Sequence, residues 1–286
     1  MTQVYSRIGV KPIAGALGAE IEGVDLARDL DNHTFAEIHQ ALLDHLVIFF
    51  RDQTLTPDQH KNFGKRFGTL NVHPYAPALA GHPEVMTIFK EKDDKANFGG
   101  GWHSDMTFLE EPALGSILYA REVPPHGGDT LFANMYLAYE SLSHGLKKTL
   151  SGLKAVHSAN RQYGIEGSEA AQLNEQRSMK PKISADAKKE VLHPVVRTHP
   201  DTGRKALYVN RAFTERFEGW TKRESRPLLH YLCDHAVQME YTCRFRWTKD
   251  ALAFWDNRAA QHYALNDYHG FRRVMHRVTV NGTRPF

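Results

Sequence analysis

The chain of 286 residues has only two cysteines and no long apolar run. Cys233 and Cys243 are too few for a disulfide framework or a four-thiolate zinc site, so both are interpreted as buried, inert thiols. No apolar run approaches the roughly 18 residues that a membrane-spanning helix needs. The sequence therefore predicts neither a disulfide-stabilised fold nor a membrane protein.

An excess of charge of one sign is also missing. The 36 basic and 33 acidic residues leave a net charge of +3, which gives no electrostatic reason to expect nucleic acid as a partner. The first residues, 1–6, lack the basic and then apolar pattern of a secretory signal. We therefore expect a cytoplasmic protein with neither nucleic acid nor a membrane as partner.

Histidine, in contrast, is abundant, with 17 residues. Because histidine is a common metal ligand and proton carrier, this number favours metal chemistry without locating it. His157, His193, His199 and His276 lie in predicted strands, and we interpret them as core or surface residues. Trp102 and Trp255 flank motifs described below, and both are interpreted as core packing.

Short apolar and alternating segments predict a mostly β fold, a sandwich or barrel with helices packed outside. In residues 240–247, for example, apolar and polar side chains alternate, which is typical of a half-buried strand. The predicted strands are 46–50, 85–89, 116–120, 130–132, 155–157, 193–199, 205–210, 240–247, 251–255 and 272–280.

Two helices are predicted from their N-terminal signals. Thr34 and Glu37 have the spacing of a capping box, and Thr56 is followed by Pro57 at the first helical position, with Gln59 completing a second box. Further helices are predicted at about 136–150 and around 228–232, where Pro227 must lie in the first turn or kink the helix.

Residues 159–190 differ in composition from their surroundings. They are rich in Ser, Glu, Lys, Gln and Ala and contain few large apolar residues. Such a segment buries little surface, so we predict a mobile or partly helical insertion. It is either a solvated loop or a lid over an active site, since long loops in compact domains are often functional.

The pair His103 and Asp105 is the first indication of a site. In an extended backbone, residues two apart project to the same face, so this imidazole and carboxylate point together. A further histidine from elsewhere would complete the two-histidine, one-carboxylate set of non-haem iron(II) oxygenases. On its own the pair is weak evidence in a histidine-rich chain.

The last predicted strand carries a second indication. Arg273, Met275 and Arg277 share one face by the period of two. Two guanidinium groups in an interior would be very costly unless each met an anion, and the guanidinium fork matches a carboxylate or sulfonate. The alternative is a pair of surface arginines on an edge strand.

With these motifs, the sequence resembles the taurine dioxygenase family of Fe(II)- and 2-oxoglutarate-dependent oxygenases over nearly its whole length. The family fold is a double-stranded β-helix, or jelly roll, so the resemblance implies one such domain over residues 1–286. It also leads us to expect a homo-oligomer, either a dimer or a tetramer. The matching segments are GAEIEGVDL (18–26), WHSDMTF (102–108), GGDT (127–130), LHPVVRTHP (192–200), WDNRAAQHY (255–263) and FRRVMHR (271–277).

The resemblance also implies site residues and cofactors. Fe(II), 2-oxoglutarate and O2 would be needed, and oxidative decarboxylation would give succinate and CO2 while the substrate is hydroxylated. Grouped by role, the residues implied are His103, Asp105 and His262 as iron ligands, Arg273 and Thr130 for 2-oxoglutarate, and Arg277, His73 and Phe213 for the substrate.

Three departures from the family pattern concern the substrate. Members dedicated to taurine carry an asparagine where this chain has the run Gly99 to Gly101, a tyrosine where it has Ala76 (Tyr75 is one position early), and an aromatic residue where it has Ala159. These losses predict a roomier pocket and an anion larger than taurine.

We therefore expect hydroxylation of a small organic anion, with collapse of the hydroxylated product. An alkyl sulfate ester, a longer sulfonate or an aryloxy or carboxylic acid would suit. The alternatives are a taurine dioxygenase proper, which releases sulfite and aminoacetaldehyde, and a jelly-roll protein that binds a metal or ligand without turnover.

Overall fold

The computed structural model describes residues 5–286. In this part of the chain, strands form four sheets, and helices pack around them. The strands are β1 (Gly9–Pro12), β2 (Ala19–Glu22), β3 (Val47–Phe50), β4 (Ala78–Leu79), β5 (His82–Lys90), β6 (Ala113–Glu122), β7 (Thr130–Asn134), β8 (Lys154–Ser158), β9 (Glu190–Pro194), β10 (Val196–Thr198), β11 (Lys205–Leu207), β12 (Thr214–Phe217), β13 (Thr242–Phe245), β14 (Leu252–Asp256), β15 (Ala260–Ala264) and β16 (Arg273–Asn281). The α-helices are α1 (Asn32–His45), α2 (Pro57–Lys65), α3 (Met135–Glu140), α4 (His144–Leu150), α5 (Asn160–Tyr163), α6 (Glu169–Leu173) and α7 (Lys222–His235), and 3-10 turns span Asn174–Gln176, Ala185–Lys188 and Met239–Tyr241.

Two of the sheets enclose the core. The large sheet has the order β1-β2-β3-β14-β6-β16-β5-β4, and a three-stranded sheet has the order β13-β7-β15. Phe49 of the large sheet stacks on Phe245 of the small one, with ring centroids 3.9 Å apart, and meets Phe132 at 5.7 Å. The prediction of a mostly β, jelly-roll core with helices outside is confirmed. Among residues 5–286 no helix has the length and apolar character needed to cross a membrane.

Of the two capping boxes predicted from the sequence, the structure contains the one at the start of α2 and lacks the one in α1. Thr56 caps α2 in a complete box with Gln59, as predicted. The box predicted at Thr34 is wrong, because Asp31 caps α1 and accepts from the backbone N–H of Thr34. Glu37 instead accepts from the backbone N–H groups of residues 6–8, a contact with a distant segment that helix spacing does not reveal.

Other boundaries shifted for local reasons. The helix predicted over 136–150 is broken into α3 and α4, because Ser143 begins a new helix by accepting from Leu146 N–H. Pro227 lies inside α7, beyond its first turn. The alternating strand begins only at Thr242, after a 3-10 turn. Both cysteines are buried, as predicted, and burial raises the pKa of each thiol to about 12.

Residues 159–190 pack on the core through a small aromatic cluster. Tyr163 of α5 and three alanines of the segment are buried against Phe108 and Phe213. The backbone of the segment is tied to neighbouring loops, for example by the Lys95 N–H, which donates to Gln176 O at 2.9 Å. The segment thus lies against the residues that follow the His103–Asp105 pair, and its role as a lid stays a prediction.

Candidate active site

The three proposed metal ligands meet between the two core sheets. His262 on β15 and His103 in the loop between β5 and β6 form an isolated antiparallel bridge, with backbone N···O distances of 3.1 and 2.8 Å. Because residues facing each other across strands hold their side chains close, the two rings lie 4.1 Å apart. With Asp105, they offer three ligand atoms within 4.8 Å of one another, all buried.

The protonation of these groups suits a metal. His103 Nδ1 lies 2.6 Å from Gly101 O, so it carries the proton and leaves the Nε2 lone pair available. Burial lowers the pKa of His262 well below its ordinary value. Burial opposes ionisation of Asp105, but the charge of Arg277 and the hydrogen bond from Ser116 favour the carboxylate, so the pKa of the carboxyl falls below its usual range. Two neutral imidazoles and one carboxylate are the form that binds a divalent cation.

Each oxygen of Asp105 also accepts a hydrogen bond that the sequence analysis missed. Arg277 Nη1 donates to Oδ1 at 2.9 Å, and Ser116 Oγ donates to Oδ2 at 2.7 Å. Arg277 is thus paired with a proposed metal ligand as well as facing the cavities. Only the spacing of Arg277 on its strand was visible in the sequence.

An inner cavity of about 390 Å³, its opening included, lies beside His262 and ends at Arg273. Within the described chain, the buried Nε and Nη2 of Arg273 have no hydrogen-bond partner, and burial lowers the pKa of this guanidinium. Thr130 lies in the same wall, and its Oγ accepts from Trp247 Nε1 at 3.0 Å. The Thr130 hydroxyl proton is therefore available to a ligand, and the cavity fits an anion such as a carboxylate.

An outer cavity of about 540 Å³, its opening included, lies on the other side of His103. His73 Nδ1 accepts from the backbone N–H of Tyr75 and Ala76, so Nε2 carries the proton. Burial lowers the pKa of His73 to about 3, so the ring is neutral near pH 7. Aromatic and apolar side chains and a run of glycines line the cavity. They are Met106, Phe108, Tyr163 and Phe213, and Gly99, Gly100 and Gly101.

The 159–190 segment supplies residues of this cavity that the sequence analysis missed. Tyr163, Glu169 and Arg177 border it. Ala159 is buried in the cluster that contains several wall residues of the cavity but is not itself among the walls, so its effect on the size of the pocket stays a prediction. Tyr163, four residues later, brings an aromatic ring to the cavity, and Gly99, Gly100 and Gly101 also line it.

The remaining histidines and tryptophans agree with the interpretation as core or surface residues. His157, His193 and His199 are almost fully buried and His276 is partly buried, on a face away from the ligands. Trp255 is buried, with its ring 4.6 Å from that of His262. Trp102 is partly buried against the core.

A jelly-roll core with two neutral histidines and one carboxylate on one face, beside a cavity that ends in an unpaired guanidinium, defines the class of Fe(II)- and 2-oxoglutarate-dependent oxygenases. Residues 9–279 match the model of the family described as "Taurine catabolism dioxygenase TauD, TfdA family". The chain belongs to this family. It is an oxidoreductase that uses Fe(II), 2-oxoglutarate and O2.

Two characterised relatives and one solved structure are similar over almost the whole chain. An alpha-ketoglutarate-dependent sulfate ester dioxygenase of Pseudomonas putida is 38% identical over 97% of this chain and 91% of its own. An alkylsulfatase of Acinetobacter baylyi is 37% identical over 96% and 86%. A taurine dioxygenase from Burkholderia xenovorans has a TM-score of 0.82 at 38% identity, covering 98% and 93% of the two chains.

Proposed function

We propose that this enzyme hydroxylates an alkyl sulfate ester at an iron held by His103, Asp105 and His262. One observation carries the proposal: the three ligand atoms lie where two cavities meet. The inner cavity ends in an unpaired guanidinium, and the outer one combines proton donors with apolar walls. This is the arrangement needed to place a carboxylate cosubstrate and an amphiphilic anion on either side of one metal.

On the inner side, Arg273 binds the distal carboxylate of 2-oxoglutarate through its two unpartnered nitrogens. Thr130 adds its hydroxyl, which Trp247 orients by donating to the oxygen. When bound, iron with 2-oxoglutarate and O2 supplies the oxidation of a C–H bond to C–OH, with succinate and CO2 as coproducts. The protein residues hold the cosubstrate in one orientation.

On the outer side, Arg277 and the Nε2–H of His73 bind the sulfate group. Met106, Phe108 and Phe213 then receive the alkyl chain, since their side chains form the apolar wall. The names of the two relatives, a sulfate ester dioxygenase and an alkylsulfatase, support a sulfate ester over the other anions. The anion fixes one end of the substrate and so presents its first carbon to the metal.

Hydroxylation of the carbon that bears the ester oxygen explains how sulfate leaves. The hydroxyl group loses its proton, a C=O bond forms, and the bond from carbon to the ester oxygen breaks. The products are an aldehyde and inorganic sulfate, with one succinate and one CO2 for each O2 consumed.

The test is a substrate panel with Fe(II) and 2-oxoglutarate. Sulfate release should match succinate formation for alkyl sulfates, and their kcat/KM should exceed those of a longer sulfonate, an aryloxyacetate and taurine. His262→Ala should show neither product, since it loses a metal ligand. If taurine is the best substrate, with stoichiometric sulfite, the sulfate ester assignment is refuted while the iron chemistry stands.

We further propose that residues 159–190 close over the bound sulfate ester. Arg177 supports this role, since it borders the outer cavity and its Nη1 donates to Asn97 O on the opposite loop at 3.3 Å. Slower amide hydrogen exchange of residues 159–190 on adding substrate would agree with closure, and unchanged exchange would contradict it. The single-domain organisation, the homo-oligomeric assembly and the cytoplasmic location stay predictions.

A further inference from the structure

Three buried polar side chains, Trp255, Asn257 and Ser116, form a hydrogen-bonded series that ends at Asp105. Trp255 Nε1 lies 3.0 Å from Asn257 Oδ1, and Asn257 Nδ2 lies 3.0 Å from Ser116 Oγ. Ser116 Oγ lies 2.7 Å from Asp105 Oδ2. All four residues are at most 4% exposed.

The direction of every hydrogen bond in this series is determined. The indole N–H of Trp255 and the backbone N–H of Asp105 can only donate, and both meet the same atom of Asn257, which must be its oxygen. The amide nitrogen of Asn257 therefore faces Ser116 and donates to it. Because the Ser116 hydroxyl has a single proton and already accepts from Asn257, that proton points at Asp105 Oδ2.

The large sheet holds this series in place. Ser116 on β6 and Trp255 on β14 are register partners in the middle of the sheet. The N–H of Asn257 donates to Leu114 O at 2.9 Å, which fixes the backbone just after β14. Ser116 and Asn257 are not among the walls of either cavity, and among the proposed ligands their hydrogen bonds reach Asp105.

The other oxygen of Asp105 has a different kind of partner. Arg277 donates to Oδ1, but Arg277 also borders both cavities, where the proposed sulfate group competes for the same guanidinium. Ser116 has no such competitor. If an anion drew the Arg277 guanidinium away, the bond from Ser116 would be the remaining side-chain hydrogen bond to the carboxylate.

We propose that Ser116, oriented by Asn257, is the positioning residue that keeps Asp105 turned towards the metal. The inference rests on the proposed role of Asp105 as a ligand. Partners that hold a metal ligand from behind typically contribute about 10- to 100-fold in metal affinity. The same loss is expected for Ser116→Ala, which removes the hydroxyl and little else.

The experiment is a titration of the metal-free protein with Mn(II), without 2-oxoglutarate, in which free Mn(II) is measured by electron paramagnetic resonance. Ser116→Ala should raise the Kd for Mn(II) about 10- to 100-fold, and Ser116→Thr, which keeps a hydroxyl, should restore much of the affinity. Ser104→Ala is the matched control. Ser104 is also a buried serine next to the ligands, but its Oγ donates to Ala260 O.

Two results would overturn the inference: wild-type Mn(II) affinity in Ser116→Ala, or an equal loss in Ser104→Ala. A lower melting temperature of metal-free Ser116→Ala with unchanged Kd would likewise show a purely structural role. Asp105→Ala separates this inference from the proposed ligand set. If Asp105→Ala binds Mn(II) normally, the ligand assignment itself is wrong.

Discussion

A substitution of Arg273 should change two measured quantities in opposite directions: the affinity for 2-oxoglutarate and the stability of the ligand-free protein. The Nε and Nη2 of Arg273 are buried without partners in the described chain. Arg273→Met replaces the guanidinium with a shorter, unbranched apolar side chain. The variant should bind 2-oxoglutarate more weakly, and its ligand-free form should be more stable than the wild type.

The size of each effect follows from the geometry. Removing one partner of a buried charge pair costs about 2–5 kcal/mol, and about 3 kcal/mol corresponds to roughly a hundredfold higher Kd for 2-oxoglutarate. Replacing a poorly paired buried charge by an apolar group stabilises by about 1 kcal/mol, at the low end of the usual range because Tyr268 and the Trp247 ring partly compensate the charge. For a chain of this size that is about 2 °C in Tm.

The assay pairs anaerobic titration calorimetry of the Fe(II)-loaded protein with thermal unfolding of the ligand-free protein. Arg272→Gln is the matched control, because Arg272 is the preceding residue but pairs on the surface with Glu91 and Glu122. Arg272→Gln should leave the affinity for 2-oxoglutarate unchanged. An Arg273→Met variant that binds 2-oxoglutarate as well as the wild type would refute the assignment, and a lower Tm would refute the argument that the charge is only partly compensated.

Three further predictions concern the substrate side and the N-terminal segment. Arg277→Ala should raise KM for the sulfate ester by more than about tenfold, as expected for loss of a buried charge partner, and leave the Kd of 2-oxoglutarate nearly unchanged; the opposite pattern would exchange the roles of the two arginines. A Cβ at Gly101 meets open space, so Gly101→Leu should fill the outer cavity and lower kcat/KM more for long alkyl sulfates than for short ones, whereas Gly145→Leu, in a helix away from the site, should not discriminate between them. Burial opposes ionisation of Glu37, but backbone N–H groups of residues 6–8 outweigh it and lower its pKa to about 2 from 4.5. The carboxylate therefore stabilises the fold above pH 4.5, and the gap in Tm between wild type and Glu37→Gln should narrow as the pH falls from about 5 towards 2; a gap that does not change with pH would contradict this.

The candidate site was predictable where its residues are close in sequence or carry a motif. His103 and Asp105 follow from the period of two, and Arg273 and Arg277 follow from the same period on one strand. The bond from Arg277 to Asp105 joins residues that are 172 positions apart, and no local pattern encodes such a contact. It depends on how the sheets face each other.

In the fold, too, features that depend on nearby residues were predictable and those that depend on distant segments were not. Thr56 caps its helix as predicted, because all partners of that cap lie within one turn. Thr34 does not cap its helix, because Asp31, three residues earlier, caps it instead. Glu37 accepts hydrogen bonds from a distant segment and so cannot complete the box. Tyr163 was missed for a related reason, since its ring reaches the outer cavity only through the path of the whole 159–190 segment.

The backbone bridge between His103 and His262 has a consequence for how the enzyme acquires its metal. The two imidazoles are brought together by N–H···O bonds of 3.1 and 2.8 Å that the polypeptide makes by itself. Loading therefore needs no coupled folding, unlike a zinc finger, whose binding energy is spent on ordering the chain. A preformed site of two imidazole nitrogens and one carboxylate can bind several divalent ions, in the order of their intrinsic affinities. The ion bound in the cell should then depend on the supply of each metal as well as on affinity, and incubation with chelator followed by Fe(II) should exchange it without a cycle of unfolding.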